Sequence, residues 1–143
     1  MKILTKKYDT KIVNNFEFDN FEFEVKIKLP TDFKNFIRNF QNCKVKEILF
    51  FDDKKELWVL NSFFSFAEIV DLYKEFLEEY HQKLIPFACD PGGWHFCLCM
   101  DEKDFGCIIV NRWTDYSEEE QFLKIADSFE EFINGLQVEE TND

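Results

Sequence analysis

Apolar and polar positions change period several times along this chain, and each change marks an element. Within residues 16–29, Phe21, Phe23, Val25, Ile27 and Leu29 alternate with Glu22, Glu24, Lys26 and Lys28. A period of two sets one face against a core and the other in water, so a strand with a charged outer face is expected. Leu29-Pro-Thr-Asp32 then opens a helix over 31–40, because Pro suits a first helical turn and Thr or Asp can cap it. Its apolar residues Phe33, Phe36, Ile37 and Phe40 fall on one face.

Two short apolar runs, 47–52 and 56–61, flank the polar turn Asp52-Asp-Lys-Lys55 and read as a hairpin. Ser65 with Glu68 has the spacing of a capping box and starts the longest helix, 65–81. Its stripe of Phe66, Ile69, Tyr73, Phe76 and Tyr80 faces inward, while Glu68, Asp71, Glu75 and Glu79 form an acidic outer ridge. Leu84–Cys89 is a strand in which Pro86 marks an edge or a bulge. Asp90-Pro-Gly-Gly93 is a turn. The runs 95–100 and 107–113 are apolar on both faces, as strands at the centre of a covered sheet are. Ser128 and Glu131 repeat the capping-box spacing ahead of a helix over 128–135. These elements make one α+β domain: a mostly antiparallel sheet of five or six strands with helices packed around it. Residues 29–136 form its body. Residues 1–28 are read as an extension with one alternating strand, and 137–143 as a frayed acidic tail.

Composition narrows the classes. Among 143 residues, Lys and Arg number 17 and Asp and Glu 29, a net charge of −12. Such a chain repels phosphate backbones and anionic lipid, and no basic patch offsets this, so neither nucleic acid nor membrane is an expected partner. An acidic surface serves solubility, or attraction to a basic protein. No run is long and apolar enough to span a bilayer, and Met1–Tyr8 has no apolar stretch after its charges, so a cytoplasmic location is expected. Five cysteines, an odd number, fit reduced thiols better than a disulfide framework.

Chemistry has one candidate location. His95, Cys97 and Cys99 alternate along one strand, with Cys89 and Cys107 on neighbouring segments. Metal ligands must converge, yet residues two apart on a strand diverge by about 7 Å. A Cys–His nucleophile needs an electropositive setting, and this one is apolar and acidic. His81 reads as surface. The expectation is structural cysteines, no catalytic residues, no metal and no cofactor: a domain that is not an enzyme.

Several segments resemble a known family. Leu29-Pro-Thr-Asp-Phe-Lys-Asn-Phe-Ile37 is similar to the LP-x-D-(F/Y)-K-x-F-(L/I) opening of the SUKH superfamily, the Smi/Knr-type proteins. Leu84-Ile-Pro-Phe-Ala-Cys-Asp-Pro-Gly-Gly93 resembles its LIPFA-x-D-x-GG segment, and Trp94-His-Phe-Cys-Leu98 the strand that follows. Cys107-Ile-Ile-Val110 stands where the family has G-x-V-Y, with Asn111 in place of the aromatic. Ile125–Leu136 resembles the IADSFEEFL-x-GL ending. The resemblance implies a binding module: in bacteria an immunity protein that neutralises a toxin, often a nuclease, by direct contact; in fungi a regulator of wall synthesis. The alternative to an immunity protein is a regulatory or scaffold protein of the same fold with no toxin partner. A basic toxin domain would be met by acidic groups and exposed aromatics. The candidates are Asp52 and Asp53 in the hairpin turn, Asp90 and Trp94 at the Gly-Gly turn, and Trp113 with Glu118, Glu119 and Glu120. Each also has an ordinary reading, as turn cap, core aromatic or solvated charge.

Overall fold

The computed structural model describes residues 1–113, 116, 117 and 119–140. In chain order the elements are α1 (Asn15–Val25), α2 (Thr31–Phe40), β1 (Glu47–Phe51), β2 (Leu57–Val59), β3 (Ser62–Phe63), α3 (Phe66–Tyr80), β4 (Leu84–Cys89), β5 (His95–Cys99), β6 (Ile108–Asn111), β7 (Phe122–Ala126), α4 (Phe129–Gly135) and β8 (Gln137–Val138). The strands form two antiparallel sheets. One has five strands in the order β3-β4-β5-β6-β7, the other three in the order β2-β1-β8. The α+β class and the antiparallel pairing are as expected; the strands divide between two sheets where one was expected.

The five-stranded sheet is a meander from β3 to β7, interrupted only by α3 between β3 and β4. Pleating sends alternate residues of β5 to opposite faces. Phe96 and Leu98 enter the main core, while Cys97 and Cys99 join a smaller apolar cluster with Phe76 and Leu84. Both faces are therefore covered, which explains the unbroken apolar run. In β4 the register shifts between Pro86 and Ala88, and β3 reaches only Ala88 and Cys89. Pro86 thus sits at a bulge and beyond the end of its short neighbour, where a missing N–H is tolerated.

Aromatic rings fill the centre of the main core. Phe33 of α2 meets Phe129 of α4 edge-on at 5.1 Å and Phe87 of β4 at 5.9 Å. Phe132 packs on Phe87, Phe96 and Phe50. Each buried Phe is worth about 1.5–3 kcal/mol relative to exposure, so this cluster joins both sheets to α2 and α4. Gly135 completes the joint: a Cβ there would lie 2.7 Å from the Phe50 ring, closer than packed atoms come.

Two segments take a different conformation from the one expected. Residues 15–25 are helix, not strand. Asn14 accepts from the Glu17 backbone N–H while the Glu17 carboxylate accepts from Asn14, a full capping box. Phe18 and Phe21 are buried and Val25 half-buried, spaced three and four, whereas Phe16 and Phe23 stand in solvent. The alternation of Phe and Glu was a coincidence of a Phe-rich chain. Second, Gln137 and Val138 do not fray but pair as β8 with β1.

Caps differ in detail. α3 has the expected Ser65–Glu68 box. At α4, Ser128 accepts from the Glu131 N–H, but the Glu131 carboxylate reaches the Asp127 N–H instead of closing the box. At α2 neither Thr31 nor Asp32 caps; Pro30 holds the N-cap position without a side-chain bond. The first dozen residues, which have no legible period, run beside residues 44–46. Lys7 N–H donates to the Lys44 carbonyl and Lys46 N–H to that of Thr5. Glu47 fixes this strap by accepting from the Thr5 N–H and hydroxyl.

Candidate functional site: a concave face built from three turns

The hairpin turn is organised by Asp52, which is buried. Its Oδ1 accepts from the Lys54 and Glu56 N–H groups at 2.9 and 3.0 Å, and its Oδ2 from the Trp58 indole at 3.0 Å. Burial raises the carboxyl pKa, but the donors from Trp58, Glu56 and Lys54 outweigh it and hold the group below its ordinary value. Asp52 therefore builds the turn, and the neighbouring Asp53, fully displayed, is the carboxylate a partner can reach.

The Gly-Gly turn follows the same logic. Asp90 Oδ1 accepts from Gly92 and Trp94 N–H at 2.9 and 2.8 Å, and Gly93 takes a φ of 96° that only glycine adopts without strain. Trp94 is set between Trp58 and Tyr116, at ring distances of 6.3 and 5.8 Å.

Asn111 anchors the third segment. Fully buried at the end of β6, its carbonyl oxygen accepts from the Trp113 N–H and the Gln121 side chain. Arg112 then stacks on Tyr116, its guanidinium 3.8 Å from the ring centre, and donates through Nε and Nη2 to the Glu120 carbonyl. Trp113 turns the other way. Its indole N–H donates to the Gly93 carbonyl at 2.9 Å, and its ring meets His95 and Phe76 edge-on, so it braces the Gly-Gly turn from behind.

These three turns, far apart in sequence, converge. Trp58, Trp94, Tyr116, Arg112, Asp90 and Glu56 line a cleft of about 410 Å³. A second hollow of about 310 Å³ adjoins it through shared Glu56 and Arg112, and is bordered by Asp52, Asp53 and Glu120 together with Lys54 and Lys124. Of the sequence candidates, Asp52, Asp53, Asp90, Trp94 and Glu120 thus lie on one concave face. Trp113 lies behind it, Glu119 is exposed beside it in sequence, and Glu118 is outside the described residues. Trp58, Arg112 and Tyr116 complete the face without having been singled out. Trp58 could have been found as the inward position of the hairpin's second run, whereas the stacking of Arg112 on Tyr116 depends on a loop whose path no period reveals.

The candidate chemical strand has a different character. The half-buried His95 ring is enclosed by Phe64, Phe76 and Trp113, and burial lowers its pKa to about 4. Burial pushes the Cys97 thiol well up, with the Cys99 charge adding to the rise; Cys99 is also raised, chiefly by burial. Thiols held protonated in apolar surroundings are poor nucleophiles and poor ligands. Cys89 faces Ser62, 3.6 Å from its hydroxyl.

A family comparison now bears on this geometry. The family model SUKH_6, described as SMI1-KNR4 cell-wall, matches residues 10–133. The chain belongs to this SUKH family. The match takes in α1, which the sequence reading set outside the domain body, and it spans all three turns of the concave face. Among curated proteins, the SPbeta prophage-derived uncharacterized protein YokK of Bacillus subtilis (strain 168) is similar, 23% identical over 147 residues, covering 87% of this chain and 75% of the relative. Among the described residues, no helix of this SUKH protein is long and apolar enough to cross a membrane.

Proposed function

We propose that this SUKH protein is a protein-binding module without enzymatic activity, and that it acts inside the cell as an immunity protein, neutralising a basic toxin domain by direct contact. The observation that carries the reading is the concave face itself: a cleft lined by Trp58, Trp94 and Tyr116 with Glu56 and Asp90 on its wall, adjoined by a hollow where Asp53 and Glu120 stand with Lys54 and Lys124. Aromatic side chains fixed by their neighbours give contact area at little entropic cost, which is how interface anchors work. Carboxylates around them, on a chain of net charge −12, draw in a basic partner and raise its association rate. Arg112 adds a planar donor that can meet a partner carboxylate or backbone carbonyl. A prophage-derived relative accords with a gene carried on mobile DNA.

The test is co-expression with the product of the neighbouring gene. If that gene encodes a large protein with a toxic C-terminal domain, this chain should rescue growth and form a complex with that domain whose association slows as salt rises. Absence of rescue, with no complex at low salt, would favour a regulatory or scaffold role for the same fold.

A further inference from the structure

Helix α1 presents an apolar surface that the concave face does not use. Phe18 and Phe21 point inward, edge-on to Phe66 of α3 at 4.9 and 5.8 Å, and fasten α1 to the domain. Phe16 and Phe23 do the opposite: they are 77% and 87% exposed. Seven residues apart, they project from the same side of the helix. Phe16 and Phe23 are the most exposed phenylalanines among the described residues, ahead of Phe105 at 58% and Phe51 at 48%, and each forgoes a burial that most of the chain's phenylalanines obtain. Beside them, between α1 and α3, lies a groove of about 290 Å³ floored by Phe21, Phe66 and Val70, with Phe16 at its mouth.

The rim of this groove is acidic. Glu17, Glu24 and Asp71 line it, and Asp19 stands exposed on the same helix. No Lys or Arg occurs within α1. Lys74 pairs with Glu24 and Lys34 with Glu22 at 2.9 Å, while Lys26, the C-cap of α1, enters no ion pair among the described residues. Among the described residues, Asp19 and Asp71 enter no ion pair.

From this complementarity we infer that the α1–α3 face is a second docking surface, and that its occupant is a basic amphipathic segment of a partner protein, with apolar side chains in the groove and over Phe16 and Phe23, and Lys or Arg against Glu17 and Asp71 at the rim and Asp19 on the outer side of α1. A second copy of this chain fits poorly, because a twofold pairing of this face would set the same carboxylates against each other. A helix laid along such a groove anchors through its own apolar residues three, four and seven apart, which would meet Phe16, Phe21, Phe66 and Val70. The surface shares no lining residue with the aromatic cleft.

The experiment uses the full chain, labelled with 15N, and a 14-residue Lys/Leu amphipathic peptide as probe, with a Glu/Leu peptide of the same pattern as control. The Lys/Leu peptide should shift amide resonances of residues 15–25 and 66–71, and the Glu/Leu peptide none. Phe16→Ser with Phe23→Ser, and separately Asp19→Lys with Asp71→Lys, should each weaken binding at least tenfold; all four positions are exposed, so the fold is kept. Trp94→Ala should leave peptide binding unchanged, which separates this surface from the concave face. Shifts that map elsewhere, equal binding of both peptides, or indifference to both double variants would overturn the inference. So would sedimentation showing a dimer that Phe16→Ser with Phe23→Ser dissolves, since the face would then serve self-association.

Discussion

The Trp58 indole donates to the Asp52 carboxylate at 3.0 Å, and through that bond the hairpin turn sets one wall of the aromatic cleft. Asp52→Ala leaves a buried indole N–H and two turn N–H groups without their acceptor. A loss of about 1–3 kcal/mol in unfolding free energy is expected, read by urea denaturation. Asp52→Asn, which keeps one oxygen for the turn, should lose less.

The same bond sets an acid limit. Asp52 and Glu47 both have folded pKa values below their ordinary ones; in each, burial opposes the charge but hydrogen-bond donors outweigh it. A carboxyl depressed on folding contributes its full stability above its unfolded pKa, about 4. That contribution is lost as pH falls through the lower folded value. Stability should therefore decline below about pH 4, and less steeply in the Asp52→Asn variant.

His95 governs a different window. Its folded pKa is about 4 against an ordinary 6.5, so between those values the unfolded chain holds the extra proton. Stability should be complete above about pH 6.5 and fall as pH drops towards 4. Among the described residues the buried His95 Nδ1 has no hydrogen-bond partner, and the ring behaves as an aromatic filler between Phe76 and Trp113. His95→Phe should keep stability at pH 7 within about 1.5 kcal/mol and flatten thermal midpoints between pH 4 and 6.5. An unchanged pH profile in the variant would contradict this account.

The cysteines should differ in reactivity. Cys43, Cys97, Cys99 and Cys107 are buried, and Cys89 is half-buried at the end of β4. Titration of the native protein with an aromatic disulfide reagent should modify Cys89 first, with Cys97 reacting only on unfolding. Cys97→Ser should cost about 1–3 kcal/mol, since a hydroxyl there lies among Phe76 and Leu84.

Much of this architecture is legible in the residues because local signals agree with one another. α3 declares itself twice, by the Ser65–Glu68 box and by the stripe from Phe66 to Phe76. The central position of β5 follows from its apolar residues on both faces. α1 is legible too, through Asn14 and Glu17, but that signal competes with an accidental alternation among Phe residues. β8 is two residues long and is held by an edge of β1, a tertiary fact with no local trace. The concave face is half legible. Turn chemistry marks Asp52 and Asp90, yet Asp52 spends its carboxylate on turn N–H groups and the Trp58 indole, Asp90 spends one oxygen on Gly92 and Trp94, and the exposed carboxylate of the hairpin turn is Asp53. That the three turns meet depends on the register of β6 against β5 and on the bracing of Gly93 by Trp113.

We propose that a toxin domain docks on the concave face. The most direct test is calorimetric titration of this protein, and of its Trp94→Ala variant, with a catalytically inactive form of the toxic domain that the neighbouring gene is proposed to encode. One-to-one binding by the natural chain is expected, with a loss of about 30-fold or more in affinity on Trp94→Ala, the scale of an interface anchor. Circular dichroism of the variant should remain unchanged. Equal affinity of the two chains for that domain would contradict it.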